Sequence, residues 1–424
     1  MSSFSRSRGT KAIASWCLYD FANSAFNTLV VTFVYSTYFG QSFAADVGRG
    51  TALWSRGVTV SALLIAALAP IAGVLADRGD RRRYLIACTL ICVVMTATLA
   101  FIRPTQPNAV VLALVVFVLA NVAFEIGLVF YNAFLPSLVL PSYIGRVSGY
   151  GWSLGYLGGL ASLAVGLTIV MTGPRWFGIS MEDGFNVRAT NLLVAGWFLL
   201  FSIPLFVCVR DEHVSDTRVD FRGVFKDLRR TLVHLGRYRE MVRFLLARLV
   251  YNDGLVTIFA FSGLYAMGTF AFSVSEVMVF GIVLNVVAGL GAWIFGFVDD
   301  QLGGKVSITI SLVFLTAATF LAAVAPDRAW LWVAGCAIGF FLGPNQSASR
   351  SLMARFVPKR HESEFFGFFA FSGKVTAFLG PLLLGALSDV YTQRAGVMSI
   401  VFFFIVGGVL LWRVDERAGI AAAR

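Results

Sequence analysis

"GVLADRGDRR", Gly73 to Arg82, closes one long apolar run, and "GFVDDQLGGK", Gly296 to Lys305, closes another. Both place an aspartate four residues after a glycine, at Asp77 and Asp300, and both end on a basic residue. Around them the chain divides into twelve apolar segments of roughly 20 residues, the length an α-helix needs to cross a bilayer core. These spans cover about 12–39, 52–76, 84–102, 109–135, 145–171, 190–209, 242–268, 275–298, 305–325, 329–354, 365–388 and 396–413. The two loops follow spans 2 and 8, so the chain reads as a six-plus-six duplication. Parallel repeats of that kind mark one large class of transporters.

Composition supports the membrane assignment. The 424 residues are 58% hydrophobic and 13% charged, about half the charge fraction of a soluble domain. Nothing resembles the alternating strands of an outer-membrane barrel. The first apolar stretch is too long for a signal peptide and lacks a small-residue cleavage site. Cys17, Cys88, Cys92, Cys208 and Cys336 lie in apolar segments and read as small core residues.

An even number of spans puts both termini on one side. Of the 34 Lys and Arg, only Arg49, Arg103, Arg175, Arg188, Arg328 and Arg394 fall on the opposite side. Arg56, Arg248, Arg350 and Lys374 lie within or at the edge of spans; all the others are on the terminal side, which is therefore cytoplasmic. The net charge of +11 reflects these loops, with no need for a nucleic-acid partner. The expected organisation is a six-helix bundle at 1–210, a cytoplasmic linker at 211–240 and a second bundle at 241–424. In the linker Phe221, Val224, Phe225, Leu228 and Leu232 recur at helical spacing, with Arg222, Lys226, Arg229 and Arg230 on other faces. That pattern fits an amphipathic helix on an anionic leaflet, or equally a solvated charged linker.

Gly73-x-x-x-Asp77-Arg78-x-x-Arg81-Arg82 resembles the loop signature of the major facilitator superfamily; its second copy departs from it at Gln301. "LYDFANSAF" (Leu18 to Phe26), "GRVSGYGWSLGYLGG" (Gly145 to Gly159), "YNDGL" (Tyr251 to Leu255) and "FFGFFAFSGKVTAFLGP" (Phe365 to Pro381) are similar to the branch of autophagy-linked vacuolar amino-acid effluxers and their bacterial relatives. The resemblance covers nearly the whole chain. It implies an all-α membrane protein of two pseudo-symmetric six-helix bundles around a central cavity. Spans 1, 4, 7 and 10 would line that cavity, and spans 2, 5, 8 and 11 would flank it.

Polar groups inside the spans are the candidate site, because an ionisable side chain in lipid costs about 2.5–3.5 kcal/mol on insertion scales. Asp20, Asn23, Ser24 and Asn27 are spaced i, i+3, i+4, i+7 and form one stripe of span 1. Span 4 offers Asn121, Glu125 and Asn132; span 7 Asn252 and Asp253; span 10 Asn345, Gln346, Ser349 and Arg350; span 11 Lys374. Asn23, Asn27 and Asn121 fit interhelical hydrogen bonding as well as a site. Arg248, also offered by span 7, is placed to snorkel to the surface, and Arg350, in the inner third of its span, fits snorkelling as well as a site. Asp20, Glu125 and Lys374 are too deep for that, and a buried ion pair fixing bundle register is their alternative role. With acids in the N-terminal half and bases in the C-terminal half, a zwitterion would replace an attraction across the cavity. Arg350 suits a carboxylate, through its bidentate fork. Glu125 or Asp20 suits an ammonium or a coupling proton.

Gly145, Gly149, Gly151, Gly155 and Gly159 allow close helix approach in span 5. Trp152 and Tyr156 beside them contact a solute or pack in the core. Gly73, Asp77, Arg78, Arg81, Arg82 and Asp300 form the expected gating loops, holding the cytoplasmic side closed through ion pairs and helix dipoles.

No Walker-type glycine loop, nucleophile elbow or metalloprotease motif occurs, and His213, His234 and His361 all lie outside the spans. No enzyme, cofactor or metal is expected. The expected function is secondary transport of a small polar solute, an amino acid first, by a monomer in the bilayer of a bacterial inner membrane. Efflux of amphipathic or lipid-like compounds, or a scaffold or receptor of the same fold, are the alternatives.

Overall fold

The computed structural model describes residues 3–176, 178–211, 235–359 and 361–423, together with 223, 224, 226, 228 and 229. Among them helix dominates and no strand occurs. Ten of the described helices are long and apolar enough to cross a membrane. The two other expected spans are also helical. Span 10 is one helix, Arg328–Phe356, whose polar residues lower its hydropathy. Span 1 is compound: an α-helix Ser3–Ala25, a π-helical stretch Phe26–Phe33 and a short α-helix Tyr35–Ser42. The wide turn persists to its end, where Val34 N–H donates to Leu29 C=O at 3.0 Å, five residues back.

Span 11 is broken as well. Glu362–Lys374 and Leu379–Val390 are separate helices. Pro381 explains the break: it has no N–H to give Ala377 C=O, and its ring crowds that carbonyl. Pro70, Pro204 and Pro344 instead sit inside continuous helices.

The chain forms two compact units. The first comprises Met1–Leu68, Gly79–Tyr131 and Leu154–Asp216; the second comprises Ala69–Arg78, Asn132–Ser153 and Thr217–Arg424. Span 2 (Val47–Arg78) and span 5 (Ile144–Trp176) therefore each contribute one part to each unit.

In the first unit, aromatic side chains fix span 1. Trp16 stacks on Tyr131 of span 4 with ring centroids 4.6 Å apart, and Tyr19 stacks on the same Tyr131 ring at 4.8 Å. The polar ends are satisfied reciprocally: Trp16 Nε1 donates to Tyr131 C=O and Tyr131 Oη to Trp16 C=O, both at 3.0 Å. Large rings with a polar handle are used this way when the handle finds a partner. Span 5 approaches span 1 through glycines. A Cβ on Gly158 would lie 2.7 Å from Phe21 Cα, and one on Gly159 2.7 Å from Thr28 Oγ1.

In the second unit, the glycine stripe Gly335, Gly339, Gly343 of span 10 packs on span 8. A Cβ on Gly339 would meet Leu284 C=O at 2.8 Å, and one on Gly343 would overlap Ala288 C=O. Backbones that close gain dispersion contacts that any side chain would prevent. Of the linker, Gly223, Val224, Lys226, Leu228 and Arg229 are helical, with Val224 buried and Lys226 and Arg229 exposed. Phe221, Arg222, Phe225, Arg230 and Leu232 lie outside the described residues.

Candidate functional site

In the first unit the stripe of span 1 is partly buried. Asp20 and Asn23 are 8% and 6% exposed, and Asn23 Nδ2 reaches Asp20 Oδ1 at 3.4 Å. Ser24 Oγ turns back to Asp20 C=O, whereas Asn27 is exposed on the π-helical turn. Gly155 lies on this stripe, where its Cβ would meet Ser24 Oγ at 3.0 Å. Asn121 Nδ2 donates to Ser61 Oγ of span 2 at 2.8 Å, which is interhelical hydrogen bonding. Glu125 and Tyr156 are half-buried.

The second unit holds the basic part. Arg350 is 4% exposed. Its Nε donates to Ser148 Oγ at 3.0 Å, Nη2 to Ser148 C=O at 2.7 Å, and Nη1 to Asn132 Oδ1 at 3.5 Å. Its guanidinium carbon lies 5.6 Å from the Trp152 ring. Ser148 in turn donates to Ser347 C=O, one turn from Arg350. Sequence reasoning assigned no role to Ser148, because serine is unremarkable until its distant partner is known. Asn345 Nδ2 binds Ser311 Oγ at 2.9 Å, and Ser349 joins Tyr251 Oη at 2.8 Å. Gln346 is half-buried beside them in the chain.

Arg248 is half-buried and bonds to span 11. Its Nη1 donates to Phe369 C=O and Ser372 Oγ at 2.8 and 2.9 Å, and its guanidinium carbon lies 3.6 Å over the Phe369 ring. Span 11 supplies these acceptors. Asn252 Nδ2 binds Gly373 C=O at 3.1 Å, and Asp253 is 2% exposed with Thr376 Oγ1 at 3.2 Å. Lys374 is half-buried at the break in span 11.

The two aspartates of the repeated loop do the same work. Asp77 accepts the backbone N–H of Ser363 at 2.9 Å and of Glu364 at 2.8 Å, at the start of span 11. Asp300 accepts those of Gly145 at 2.8 Å and Arg146 at 3.3 Å, at the start of span 5. In each case the glycine four residues earlier lets the backbones touch: Gly73 lies against Ser363 and Glu364, and Gly296 against Gly145 and Arg146. A carboxylate there satisfies orphan amides and meets the positive end of the helix dipole. Asp300 is further paired with Arg146 at 2.6 Å and Arg355 at 3.5 Å, and Arg355 also pairs with Asp299. Asp299, Arg146 and Arg355 escape a reading of the sequence, although Asp299 adjoins the repeat and the two arginines are its distant partners.

Of the basic residues in the first loop, Arg81 is 2% exposed, its backbone N–H donates to Asp211 at 2.8 Å, and its Nε lies 3.7 Å from the same oxygen. Arg78 lies against Gly223, and Arg82 is half-buried. Next to Asp77, His361 Nδ1 is 3.0 Å from Glu364 Oε2, and that hydrogen bond raises the His361 pKa above the ordinary imidazole value.

Comparisons with known proteins agree with this architecture. The family model described as "Vacuole effluxer Atg22 like" matches residues 51–145 and 141–424. The chain is 29% identical over 418 residues to the uncharacterised MFS-type transporter YxiO of Bacillus subtilis, covering 97% of this chain and 96% of that one. It is 23% identical over 421 residues to autophagy-related protein 22 of Eremothecium gossypii, covering 88% and 80%. Among solved structures, the Escherichia coli fucose:proton symporter FucP aligns with a TM-score of 0.75 at 14% identity, over 96% of this chain and 98% of that one. The human organic anion transporter MFSD10 aligns with a TM-score of 0.73 at 15% identity, over 95% and 99%. At such identities these structures speak to the fold alone. The loop signature, the capped spans and the family match lead to one conclusion: the chain belongs to the Atg22-like vacuole effluxer family and is a multi-pass transporter with the major facilitator fold.

Proposed function

We propose that this chain is a secondary transporter that moves a small zwitterionic solute, an amino acid in the first instance, by alternating access. The observation that carries the reading is Arg350. A guanidinium 4% exposed within a membrane helix is held by Ser148 and Asn132 in one orientation. A planar, permanently charged fork so fixed is suited to a carboxylate. Asp20, Asn23 and Glu125 on the other repeat supply the chemistry an ammonium or a coupling proton requires. Asn252, Asp253, Asn345, Gln346, Lys374, Trp152 and Tyr156 are proposed as further solute contacts, each open to test by substitution. The names of the relatives include an effluxer family, which supports export as the direction. The excess of Lys and Arg on one side supports cytoplasmic termini, and the Bacillus relative supports a bacterial plasma membrane. One chain carries both repeats, as a monomeric carrier requires.

The test is a thermal-shift screen of purified protein against amino acids, sugars, peptides and amphipathic compounds, followed by uptake in proteoliposomes. A bound solute raises Tm by mass action. Stabilisation by amino acids that Arg350→Lys abolishes supports the proposal. Stabilisation only by amphipathic compounds favours lipid-like efflux, and no response with no transport favours a scaffold. For coupling, Glu125→Gln is compared with wild type with and without a proton gradient; unchanged gradient dependence removes Glu125 from that role.

A further inference from the structure

Where spans 2 and 11 meet in the second unit, three side chains converge that are far apart in sequence. Asp77 ends span 2, His361 precedes the first turn of span 11, and Glu364 lies in that turn. One ligand atom from each lies within 4.8 Å of the other two. Two further oxygens in the same turn, Glu364 Oε1 and Ser363 Oγ, are buried without a hydrogen-bond partner among the described residues. Glu364 is 1% exposed and Ser363 0%. A buried carboxylate oxygen that accepts nothing carries a desolvation cost, which an electropositive ligand removes.

We propose that Asp77, His361 and Glu364 form a binding site for a divalent first-row transition-metal ion that ties the end of span 2 to the start of span 11. One imidazole and two carboxylates are a donor set for ions such as Zn²⁺. Mg²⁺ and Ca²⁺ prefer oxygen ligands alone, so the histidine selects against them. The His361 side chain is 51% exposed and Glu364 only 2%, so an ion enters on the imidazole side and is sealed on the other. Both oxygens of Asp77 already accept the amides of Ser363 and Glu364, which fixes the carboxylate beside the imidazole before any ion binds. The ion would strengthen the contact that Gly73 makes possible and so bias the carrier toward the state in which this contact exists.

The experiment uses the full-length, tag-free protein in detergent, stripped with a chelator and incubated with ZnCl₂, with MgCl₂ in parallel. After gel filtration the expected result is one zinc per chain, with a saturable rise in Tm that MgCl₂ does not reproduce. His361→Ala, at a half-exposed position that folding tolerates, loses both effects. Glu364→Gln loses them too, while the His213→Ala, His234→Ala double variant keeps them. Absence of retained zinc in wild type overturns the proposal. So does zinc retention that survives His361→Ala, or a Tm rise that MgCl₂ reproduces.

Discussion

Asp300 caps the first turn of span 5 by accepting the backbone N–H of Gly145 at 2.8 Å. Asp77 makes the equivalent contact with span 11. The repeat is thus a repeated capping device, a carboxylate at the end of one span aimed at the positive end of another. Its glycine lets the two backbones meet.

Both caps should matter for stability. Loss of a helix cap costs about 0.5–2 kcal/mol. Asp300 also pairs with Arg146 and Arg355, and its side chain is 2% exposed. Asp300→Ala should therefore cost more than the cap alone, because Arg146 and Arg355 each lose a partner as well. Asp77→Ala should cost at least the cap, since two backbone amides lose their acceptor. Thermal unfolding of both variants in one detergent checks the losses.

Arg350 and Ser148 should be coupled in function. Arg350→Lys keeps the charge and loses the fork, a change of roughly 1.5–3 kcal/mol in a charged hydrogen bond. That corresponds to about 10–150-fold weaker solute binding. Ser148→Ala leaves the guanidinium in place but frees its Nε edge, and should weaken binding less. A double-mutant cycle on solute affinity measures the coupling; strict additivity would show that Ser148 does not position Arg350.

Glycine positions separate cleanly into tight and open. Gly158→Ala forces a Cβ against Phe21 and should cost about 1–3 kcal/mol through overpacking. At Gly196 in span 6 a Cβ would meet nothing within 4 Å, so Gly196→Ala should be neutral or stabilise by up to about 1 kcal/mol. A clear fall in Tm for the first variant, with no change or a rise for the second, is the expected outcome.

Asn121 should matter for stability and not for solute. Its bond to Ser61 Oγ joins spans 2 and 4, and such bonds average about 0.6 kcal/mol in membranes. Asn121→Ala should lower Tm slightly with solute affinity unchanged. A loss of affinity without a change in Tm would move Asn121 into the site.

The spans, the duplication and the family are legible in the sequence, because hydropathy, loop charge and short motifs are local properties of the chain. Asp20, Asn23 and Arg350 stand out for the same reason: polar groups in lipid are costly wherever they lie. What only the tertiary structure decided were the partners. Ser148 meets Arg350 across 202 residues, and Asp77 meets Glu364 across 287. No spacing rule reaches so far, which is why the sequence shows neither the span 11 partners of Arg248 nor those of His361. The π-helical turn in span 1 is equally hidden, since a shift in backbone hydrogen bonding leaves the apolar pattern of "FNTLVVTF" unchanged. Local sequence determined what enters the membrane; packing between distant helices determined which polar groups satisfy one another there.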